Sequence, residues 1–481
     1  MFRWIAGAAA VAMLWAFGTV RAEPSLPWMP DAAGRHDVQL LVDDARLALP
    51  TTQWPLPRDA VVRALDALPA TLPPALDDAR ARLKRQLASA TRPRLALQLR
   101  GTDDALSGYG DDAMPGSALT WRSPALATPH LAVQLGLRLQ ADRAASDPRP
   151  LRFDGSAIAT EALGVQLQAW SRRSWWGPGW HGSLVLGKNA PALIGLGLQR
   201  ASASRSASPW LSWLGPWNAE LFAARTDGAE QAFILGQRLT FRPFSGVEIG
   251  LTRATQWGGR GKPQTVTSLA RALLGRDTNI DESSQRASDP GSGIGGFDLR
   301  LRCPAGLPCS VYAQLIGEDE AGGLPSKYLG LYGIEHWYAA GTQRLTLEFV
   351  DSTCGTVPHG RPRRGCAYRN HAYTSGYTSA GRWLGTSAGP DTQLLTLGWL
   401  NAASDSALRL HAGRIGSRIG SFSPLVNDPQ QSGHALGIGA RQGFTWRGMT
   451  LVAELDWLRL RAPDVRRHDA RASVSIAVDL D

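Results

Sequence analysis

The sequence predicts an all-β transmembrane barrel preceded by a small N-terminal α-helical bundle. From about residue 94, apolar and polar residues alternate with a period of two, which is the period of a strand with one apolar face. After the first residues, the sequence has no run of about 18 apolar residues that could form a transmembrane helix. The mean hydropathy of -0.17 fits alternating strands and does not fit a helical membrane protein.

Residues 1–22 have the pattern of a secretory signal peptide. Arg3 supplies the positive charge, residues 4–18 are apolar, and residues 20–22 (VRA) form an acceptable cleavage site. We therefore expect the mature chain to begin at Glu23. The alternative is an uncleaved membrane anchor, but the apolar run is short and ends at a cleavage-like site.

Residues 23–92 are expected to form a small helical bundle or plug. Asp37 is the candidate N-cap of a first helix, Pro69 ends a second, and a third begins near Pro74. Apolar residues repeat at helical spacing on one face only, so the helices must pack on each other or on something larger. The three stripes are Val38, Leu41, Val42 and Ala45; Val61, Ala64, Leu65 and Leu68; and Leu76, Ala79, Leu83 and Leu87.

Residues 93–481 are expected to form the barrel, with long extracellular loops. About 17 alternating segments can be counted. A soluble β-sandwich also alternates, but here the polar face often carries Arg, Glu, Asp and Gln, which suits a wet lumen. In lipid every backbone polar group must be paired, so the sheet must close. The clearest apolar faces are Leu131 to Leu139, Phe297 to Leu301, Leu345 to Phe349, Leu451 to Leu455, and Val474 to Leu480.

The 18 tryptophans are many for this length, and several lie at the ends of predicted strands. Tryptophan at strand ends is typical of the interfacial girdles of membrane barrels. Girdle or packing roles are favoured over stacking on sugar rings. The residues concerned are Trp170, Trp175, Trp176, Trp180, Trp210, Trp213, Trp217, Trp257, Trp337 and Trp383.

The four cysteines are expected to form two disulfides, because an even number in an exported chain favours oxidation. Three pairings are possible. The local one, Cys303 with Cys309 and Cys354 with Cys366, is favoured because each pair brackets a loop-like segment. A zinc site is disfavoured because the sequence contains no C-x-x-C motif.

The net charge is +10, and only four of the 51 basic residues are lysine. Arginine provides planar donors suited to carboxylate or phosphate. For an exported protein, anionic polysaccharide, lipopolysaccharide phosphate or partner carboxylates are better partners than nucleic acid.

Six longer motifs are more specific to a protein family than the alternation is. Taken in order, they resemble the Wzi family of capsule-assembly outer-membrane proteins, from about residue 36 to at least residue 340. The motifs are residues 52–56 (TQWPL), 175–180 (WWGPGW), 208–217 (SPWLSWLGPW), 239–243 (LTFRP), 256–259 (QWGG) and 316–325 (IGEDEAGGLP).

The resemblance implies an 18-stranded, occluded barrel in the cell outer membrane, with the helical bundle on its periplasmic side. It also implies a monomer with a lectin-like role, which attaches exported capsular polysaccharide to the cell surface. Expected partners are capsular or other surface polysaccharide, outer-membrane lipid and lipopolysaccharide. From its position, the bundle could also contact the periplasmic export machinery.

An acidic cluster in the last motif is the main candidate site. Its carboxylates would be costly in a confined lumen unless paired with arginine. An ion-pair network is favoured over direct contact with polysaccharide. The candidates are Glu318, Asp319 and Glu320 with Arg200, Arg242 and Arg253, together with Trp257, Tyr373 and Tyr377, the two tyrosines lying in a stretch that is either a binding loop or an inward block.

An enzyme is disfavoured, and no catalytic residue, metal or cofactor is expected. The sequence lacks a G-x-S-x-G motif, and its nine histidines lie in no recognisable catalytic motif. Glu318 and Glu320 could act as a carboxylate pair for glycoside cleavage, but two residues of this spacing on one strand are common. A passive or sugar-selective porin is the main alternative.

Overall fold

The computed structural model describes residues 23–102, 105–141, 149–275, 291–321, 324–355, 365–369, 373–416, 433–462 and 465–480. The predicted signal peptide, residues 1–22, lies outside these ranges. Within them, no helix is both long and apolar enough to cross a membrane.

One large antiparallel sheet dominates the described residues. Its 21 segments combine into 18 strands, because β2, β3 and β4 are each interrupted once. The strands are β1 (Arg94–Arg100), β2 (Ala118–Arg122 and Leu126–Ala127), β3 (Ala132–Gln134 and Gly136–Gln140), β4 (Leu151–Arg152 and Ala157–Ala162), β5 (Val165–Arg172), β6 (Leu193–Arg200), β7 (Trp217–Arg225), β8 (Phe233–Phe244), β9 (Val247–Trp257), β10 (Gly291–Arg302), β11 (Cys309–Ala321), β12 (Leu324–Tyr338), β13 (Gln343–Asp351), β14 (Gln393–Asn401), β15 (Ser406–Ile415), β16 (Gly433–Trp446), β17 (Met449–Ala462) and β18 (Val465–Asp479).

The sheet closes into a barrel. Each strand pairs with the next along the chain, and β18 pairs with β1, with Val474 opposite Leu99. The interrupted β3 joins β4 through Val133 opposite Ile158. A closed ring leaves no strand edge in lipid, as a membrane barrel requires. The predicted transmembrane barrel and its 18 strands are confirmed.

Side chains alternate between the two faces of the wall as predicted. On β10, Phe297 is 39% exposed and points outward, whereas Asp298 is 1% exposed and points into the lumen. The same alternation places exposed leucine, isoleucine and valine around the outside of the barrel. We call this surface the belt; it includes Leu97, Leu139, Ile158, Leu196, Leu347, Leu397, Ile438 and Val474.

Three helices precede the barrel: α1 (Ala32–Asp44), α2 (Arg58–Asp66) and α3 (Pro74–Ser89). The predicted start of α3 is confirmed, and its stripe from Leu76 to Leu87 is buried. The predicted N-cap of the first helix is wrong. Asp31 caps α1 by accepting from the Gly34 N–H. Asp37 lies inside the helix, where its carboxylate pairs with Arg82 of α3 (2.6 Å).

The helices lie at the end of the barrel where most connections are short. His36 on α1 bonds to the carbonyl oxygen of Gly341 (2.7 Å), and Arg63 on α2 donates to that of Ala201 (3.1 Å). Apart from 201–216, the connections at this end are 128–131, 163–164, 245–246, 303–308, 339–342, 402–405 and 447–448.

At the opposite, long-loop end, described parts of three connections fold into the barrel. Tyr109 in the loop after β1 and Leu184 in the loop after β5 are both fully buried. In the stretch 351–390, Tyr368, Tyr373 and Tyr377 are at most 3% exposed, so its described part folds inward.

Both disulfides have the favoured pairing. Cys303–Cys309 spans the turn between β10 and β11, and Cys354–Cys366 closes a loop that follows β13.

Most of the tryptophans at strand ends are buried by packing and are not exposed as a girdle. Only two of those singled out, Trp210 (81% exposed) and Trp213 (60%), lie open on the long turn 201–216. The buried ones are Trp170, Trp175, Trp176, Trp180, Trp217, Trp337 and Trp383.

A fourth helix, α4 (Val266–Leu274), follows β9. Its N-cap is Thr265, which exchanges hydrogen bonds with Ser268, and Gly275 ends it with a left-handed conformation (φ +69°).

Candidate functional site

The lumen is filled by protein, and one filling element is the plug segment, residues 45–57, which runs from α1 into the barrel. Glu248 of β9 accepts hydrogen bonds from the backbone N–H groups of Thr51 (2.7 Å) and Thr52 (2.8 Å). It also accepts one from the Thr51 hydroxyl (2.8 Å). Three such bonds offset the cost of removing this carboxylate from water.

Arg238 of β8 holds the same segment from the neighbouring strand. It donates to the carbonyl oxygen of Thr52 (2.7 Å) while it pairs with Asp298 of β10 (2.8 Å). The plug segment is therefore bonded to inward-facing side chains of adjacent strands.

The plug segment also forms a short antiparallel ladder with the loop after β5. Gln53–Trp54 pairs with Trp175–Trp176, and the N–H of Gly177 donates to Thr52 (2.9 Å). Gly177 has φ +142°, and a Cβ there would lie 2.7 Å from the amide of Gln314. Only glycine adopts this position without strain. Two of the sequence motifs thus meet inside the barrel.

A second network fixes α1 to the wall. Glu335 of β12 pairs with Arg300 of β10 (2.6 Å) and with Arg344 of β13 (2.5 Å), and Arg300 also pairs with Asp43 of α1 (2.7 Å). All four side chains are at most 3% exposed. A buried carboxylate shared by two arginines is a compensated charge, so the network is stable only while it is complete.

The loop after β5 is held in the same way. Glu348 of β13 accepts hydrogen bonds from the backbone N–H groups of Trp180 (2.7 Å) and His181 (3.1 Å) and from the hydroxyl of Tyr312 (2.9 Å). Arg35 of α1 donates to the carbonyl oxygens of Pro178 and Gly179 (2.7 Å each). The lumen is consequently occluded by groups that the wall itself binds.

Burial controls the protonation of groups on the helices and loops. Burial, with the nearby Arg344, lowers the pKa of His36 to about 3. Burial also lowers the pKa of His181 to about 3 and the pKa of Lys188 to about 8. In contrast, burial raises the pKa of Asp37 to about 6. Both histidines are therefore neutral at pH 7 and serve as hydrogen-bonding groups of the packed interior.

A polar surface, which we call the rim, lies at the long-loop end. Glu230 accepts hydrogen bonds from the Thr374 hydroxyl (2.9 Å) and the Ser375 N–H (3.2 Å). The carbonyl oxygen of Glu230 accepts from the Arg260 N–H (2.7 Å), and that of Asp227 accepts from the Ala380 N–H (2.6 Å). These bonds join three connections, residues 226–232, 258–265 and 373–380, and the rim is the part of them that reaches solvent; within 373–380 that part is Thr374 and Ser375.

The rim displays cations beside hydroxyls. Arg260 is exposed, and the Lys262 ammonium lies 5.7 Å from the ring centre of Tyr373. Arg149, from the neighbouring connection, pairs with Asp227. Such a surface can bind carboxylates and hydroxyls of a polymer.

Among the side chains that the structure describes, the predicted acidic and basic site residues lie at different places. Glu318 accepts from the Tyr368 N–H (2.6 Å), whereas the side chains of Asp319 and Glu320 lie outside the described residues. Arg242 faces the plug segment, where it donates to Leu47 and Leu49 and lies 3.9 Å from Glu248.

Arg200 and Arg253 point out of the lumen. Arg200 donates to backbone carbonyls of Ser202 and Trp217 and lies over the Trp217 ring at 4.1 Å. Arg253 donates to carbonyls at the C-terminal end of α4. The predicted inward role of both arginines is wrong, because each occupies the opposite parity of its strand from the lumen-facing residues.

The aromatic candidates are held by packing. Tyr373 donates to the carbonyl oxygen of Gly258 (3.1 Å), and Tyr377 stacks on Tyr368 at 6.0 Å. Trp257 donates to the Ser268 hydroxyl (3.2 Å) on the outer side of the wall. Tyr373 and Tyr377 are buried, so neither presents an open ring face to solvent.

Of the predicted site residues, Arg242 does contact the plug segment. The other wall groups that hold the contents of the lumen, among them Arg300 and Glu348, were missed as site residues, although both lie on the polar face of the alternating pattern. The alternation shows that a residue faces inward but not which distant segment it meets. Within the described ranges, no group of three or more His, Cys, Asp or Glu residues could hold a metal ion.

Residues 92–473 match the family model of capsule assembly protein Wzi. The chain belongs to this family. A solved Wzi structure, an Escherichia coli outer membrane protein involved in group 1 capsule assembly, aligns with a TM-score of 0.80 at 24% identity. That alignment covers 95% of this chain and 100% of the other. At this identity the likeness shows the fold.

A Klebsiella pneumoniae relative is an uncharacterized 55.8 kDa protein in the cps region. It is 29% identical over 317 residues, which are 63% of this chain and 60% of the relative. The match therefore spans less than two thirds of the relative's length. As a Wzi family member with a closed barrel and an apolar belt, the chain has the architecture of a membrane β-barrel.

Proposed function

We propose that this protein is a lectin-like anchor that retains or organises capsular polysaccharide at the cell surface, without catalysing a reaction. Membership of the Wzi family supports the capsule role. The E. coli Wzi protein is described as a carbohydrate-binding β-barrel. Transferring that property to this chain is part of the proposal.

The observation that carries the proposal is the occlusion of the lumen by bonded protein. Glu248 and Arg238 hold the plug segment, and Glu348 holds the loop after β5. A barrel blocked in this way offers its ligand a surface at the mouth. The rim, with Arg260 and Lys262, is the surface that suits an anionic or hydroxyl-rich polymer.

The orientation follows the convention that barrel turns are short in the periplasm and long outside. It puts the rim at the cell surface and the helices α1–α3 in the periplasm, after removal of residues 1–22. The helices are then placed to contact the export machinery. Each rim contact can be weak, because a polymer offers many repeat units to many barrels.

The test measures binding of the detergent-purified protein to the producing strain's own capsular polysaccharide, with planar-bilayer conductance recorded on the same sample. We expect binding that weakens with salt and little conductance. The double variant Arg260→Ala/Lys262→Ala should bind about tenfold more weakly, because each lost charge contact removes about 0.7 kcal/mol.

The matched control is Lys84→Ala/Arg85→Ala, which removes the same charge from an exposed part of α3 at the opposite end. It should bind like the unchanged protein. Steady conductance without polysaccharide binding would contradict the proposal and indicate a porin. Release of shortened sugar products would indicate an enzyme.

A further inference from the structure

An outward-facing part of the wall is buried, which is unusual for a lipid-facing surface. Thr252 and Gln256 of β9 face the lumen, so Arg253 and Thr255 between them face outward. Arg253 and Thr255 are nevertheless only 1% and 2% exposed. On β8, the outward-facing Leu235 and Gln237 are 3% and 5% exposed.

Helix α4 covers this patch from outside the barrel. Arg253 donates to the carbonyl oxygen of Ala272 (3.1 Å), and Gln237 donates to that of Leu273 (3.0 Å). Both bonds go to carbonyls in the last turn of the helix, where regular helical donors run out; the Ala272 carbonyl also accepts from the Gly275 N–H (3.3 Å). The positive guanidinium also suits the negative end of the helix dipole. The outer face of the wall therefore binds α4 through specific side-chain hydrogen bonds.

The other face of α4 is open and apolar. Val266 is 85% exposed and Leu274 is 43% exposed, and Ala270 between them is also exposed. These three residues follow one another at intervals of four, so they lie in one stripe along the helix. The stripe points away from the wall, because Ser268 and Ala272 are the residues buried against it. This arrangement is that of an interfacial helix beside the belt.

Next to α4, an apolar groove of about 620 Å³ runs over the outer face of β3 to β8. Its floor contains the small side chains Ala169 and Ala223, which flank Leu196 in the strand register. Ile158 and Phe233 are among the larger side chains that line it. The groove is continuous with the belt, so lipid is the solvent that fills it.

A single cation stands at the long-loop end of the groove. Arg225 is outward-facing and exposed at the end of β7, opposite Phe233 in the register. Its guanidinium donates to the side chain of Gln231. A guanidinium has five N–H donors, so one contact with Gln231 leaves others for a further acceptor. Phosphate oxygens accept hydrogen bonds from arginine well.

We propose that the groove and Arg225 form a site for lipid A of lipopolysaccharide, with an acyl chain in the groove beside α4 and a phosphate at Arg225. The choice of lipid A rests on the orientation in the proposed function, which places the long-loop end in the outer leaflet. Charge complementarity between Arg225 and an anionic headgroup supports it.

The test mixes the purified full-length protein with diphosphoryl lipid A or with phosphatidylglycerol in detergent and counts bound lipid by native mass spectrometry. We expect one lipid A adduct that survives mild collisional activation. Arg225→Ala should reduce its population about tenfold. Ala223→Trp should remove it by filling the groove, and Ala169→Phe is a milder substitution with the same purpose.

Two matched controls separate this site from general lipid contact. Arg461→Ala removes another exposed arginine at the long-loop end, on β17, and Ile438→Trp enlarges a belt residue on β16. Both should keep the adduct. Equal adduct populations in all variants, or binding of phosphatidylglycerol but not lipid A, would overturn the proposal. A dimer that Ala223→Trp abolishes would overturn it too, because the groove would then bind a second copy of the chain.

Polysaccharide binding measured on the same variants distinguishes the two proposals. Arg225→Ala and Ala223→Trp should leave it unchanged. Loss of lipid A binding with normal polysaccharide binding supports both proposals. Absence of polysaccharide binding in the unchanged protein contradicts the proposed function alone.

Discussion

Arg238 of β8 and Asp298 of β10 form an ion pair of 2.8 Å in which the two side chains are 0% and 1% exposed, across the intervening strand β9. The same guanidinium donates to Thr52 of the plug segment. One buried pair therefore stabilises the wall and the block in the lumen together.

Replacing Arg238 with Met should destabilise the protein by about 3–5 kcal/mol, because Asp298 would be left as a buried, uncompensated charge. We also expect channel openings in planar bilayers, since the plug segment loses a donor to Thr52. Stability is measured by guanidinium unfolding in lipid vesicles, followed by tryptophan fluorescence.

The control for this variant is Lys84→Met, which breaks an exposed pair with Asp66 whose side chains are 53% and 57% exposed. It should cost at most about 1 kcal/mol. Adding Asp298→Leu to Arg238→Met should recover much of the lost stability, because no unpaired charge remains. If the Arg238 and Lys84 variants lost equal stability, Asp298 would not be an unpaired buried charge in the Arg238 variant, and the prediction would be wrong.

Glu248→Gln should loosen the plug segment while the barrel stays folded. Two N–H groups and one hydroxyl donate to the carboxylate, and an amide would turn an NH2 group toward them. We expect a cost of about 1–3 kcal/mol and faster hydrogen exchange at Thr51 and Thr52. Glu161→Gln, in a surface turn where the carboxylate accepts from Gly164, is the control and should leave exchange at these two amides unchanged.

The strand pattern of the barrel was predictable from the sequence because apolar and polar residues alternate along each strand, one kind on each face. Leu347 and Glu348 are neighbours in the chain, and one lies on the belt while the other is buried. The third helix was also predictable, because Pro74 marks its start and its apolar residues repeat at helical spacing.

The contents of the lumen were not predictable in the same way. Asp43 meets Arg300 across 257 residues of chain, and nothing in the local pattern encodes that contact. Asp37 is of a residue type that is favoured at N-caps, but its carboxylate pairs with Arg82, 45 residues away. Arg253 was expected inside the barrel, yet α4 provides carbonyl acceptors for it outside. In each case, a partner distant in sequence decided the role.

Replacing Cys354 and Cys366 with Ser should open the connection between β13 and β14 without dissolving the barrel. The bond spans 12 residues, and closing a loop of that size stabilises a protein by about 3 kcal/mol. We expect native-state protease cleavage within 352–392 and weaker polysaccharide binding, because the rim includes 373–380. The Cys303→Ser/Cys309→Ser variant, at the opposite end, should leave cleavage of 352–392 unchanged.

His36 should make the protein less stable in mild acid. Its pKa is lowered from 6.5 to about 3 in the folded protein, so the unfolded chain binds the extra proton first as pH falls. The stabilising contribution is complete above about pH 6.5 and is lost progressively toward pH 3. Asp37, with a pKa raised to about 6, acts in the opposite direction between about pH 4 and 6 and offsets part of the effect.

The physical cause is visible in the contacts of the imidazole. Its Nδ1 accepts from Arg344 (2.9 Å) while its Nε2 bonds to the carbonyl oxygen of Gly341 (2.7 Å), so a second proton would face the guanidinium. Unfolding midpoints at pH 5.0 and 7.5 should therefore differ less in His36→Gln than in the unchanged protein. The exposed His130→Gln is the control and should keep the full difference. If His36→Gln kept it as well, the acid sensitivity would have to come from other buried groups, with His181 as the next to test.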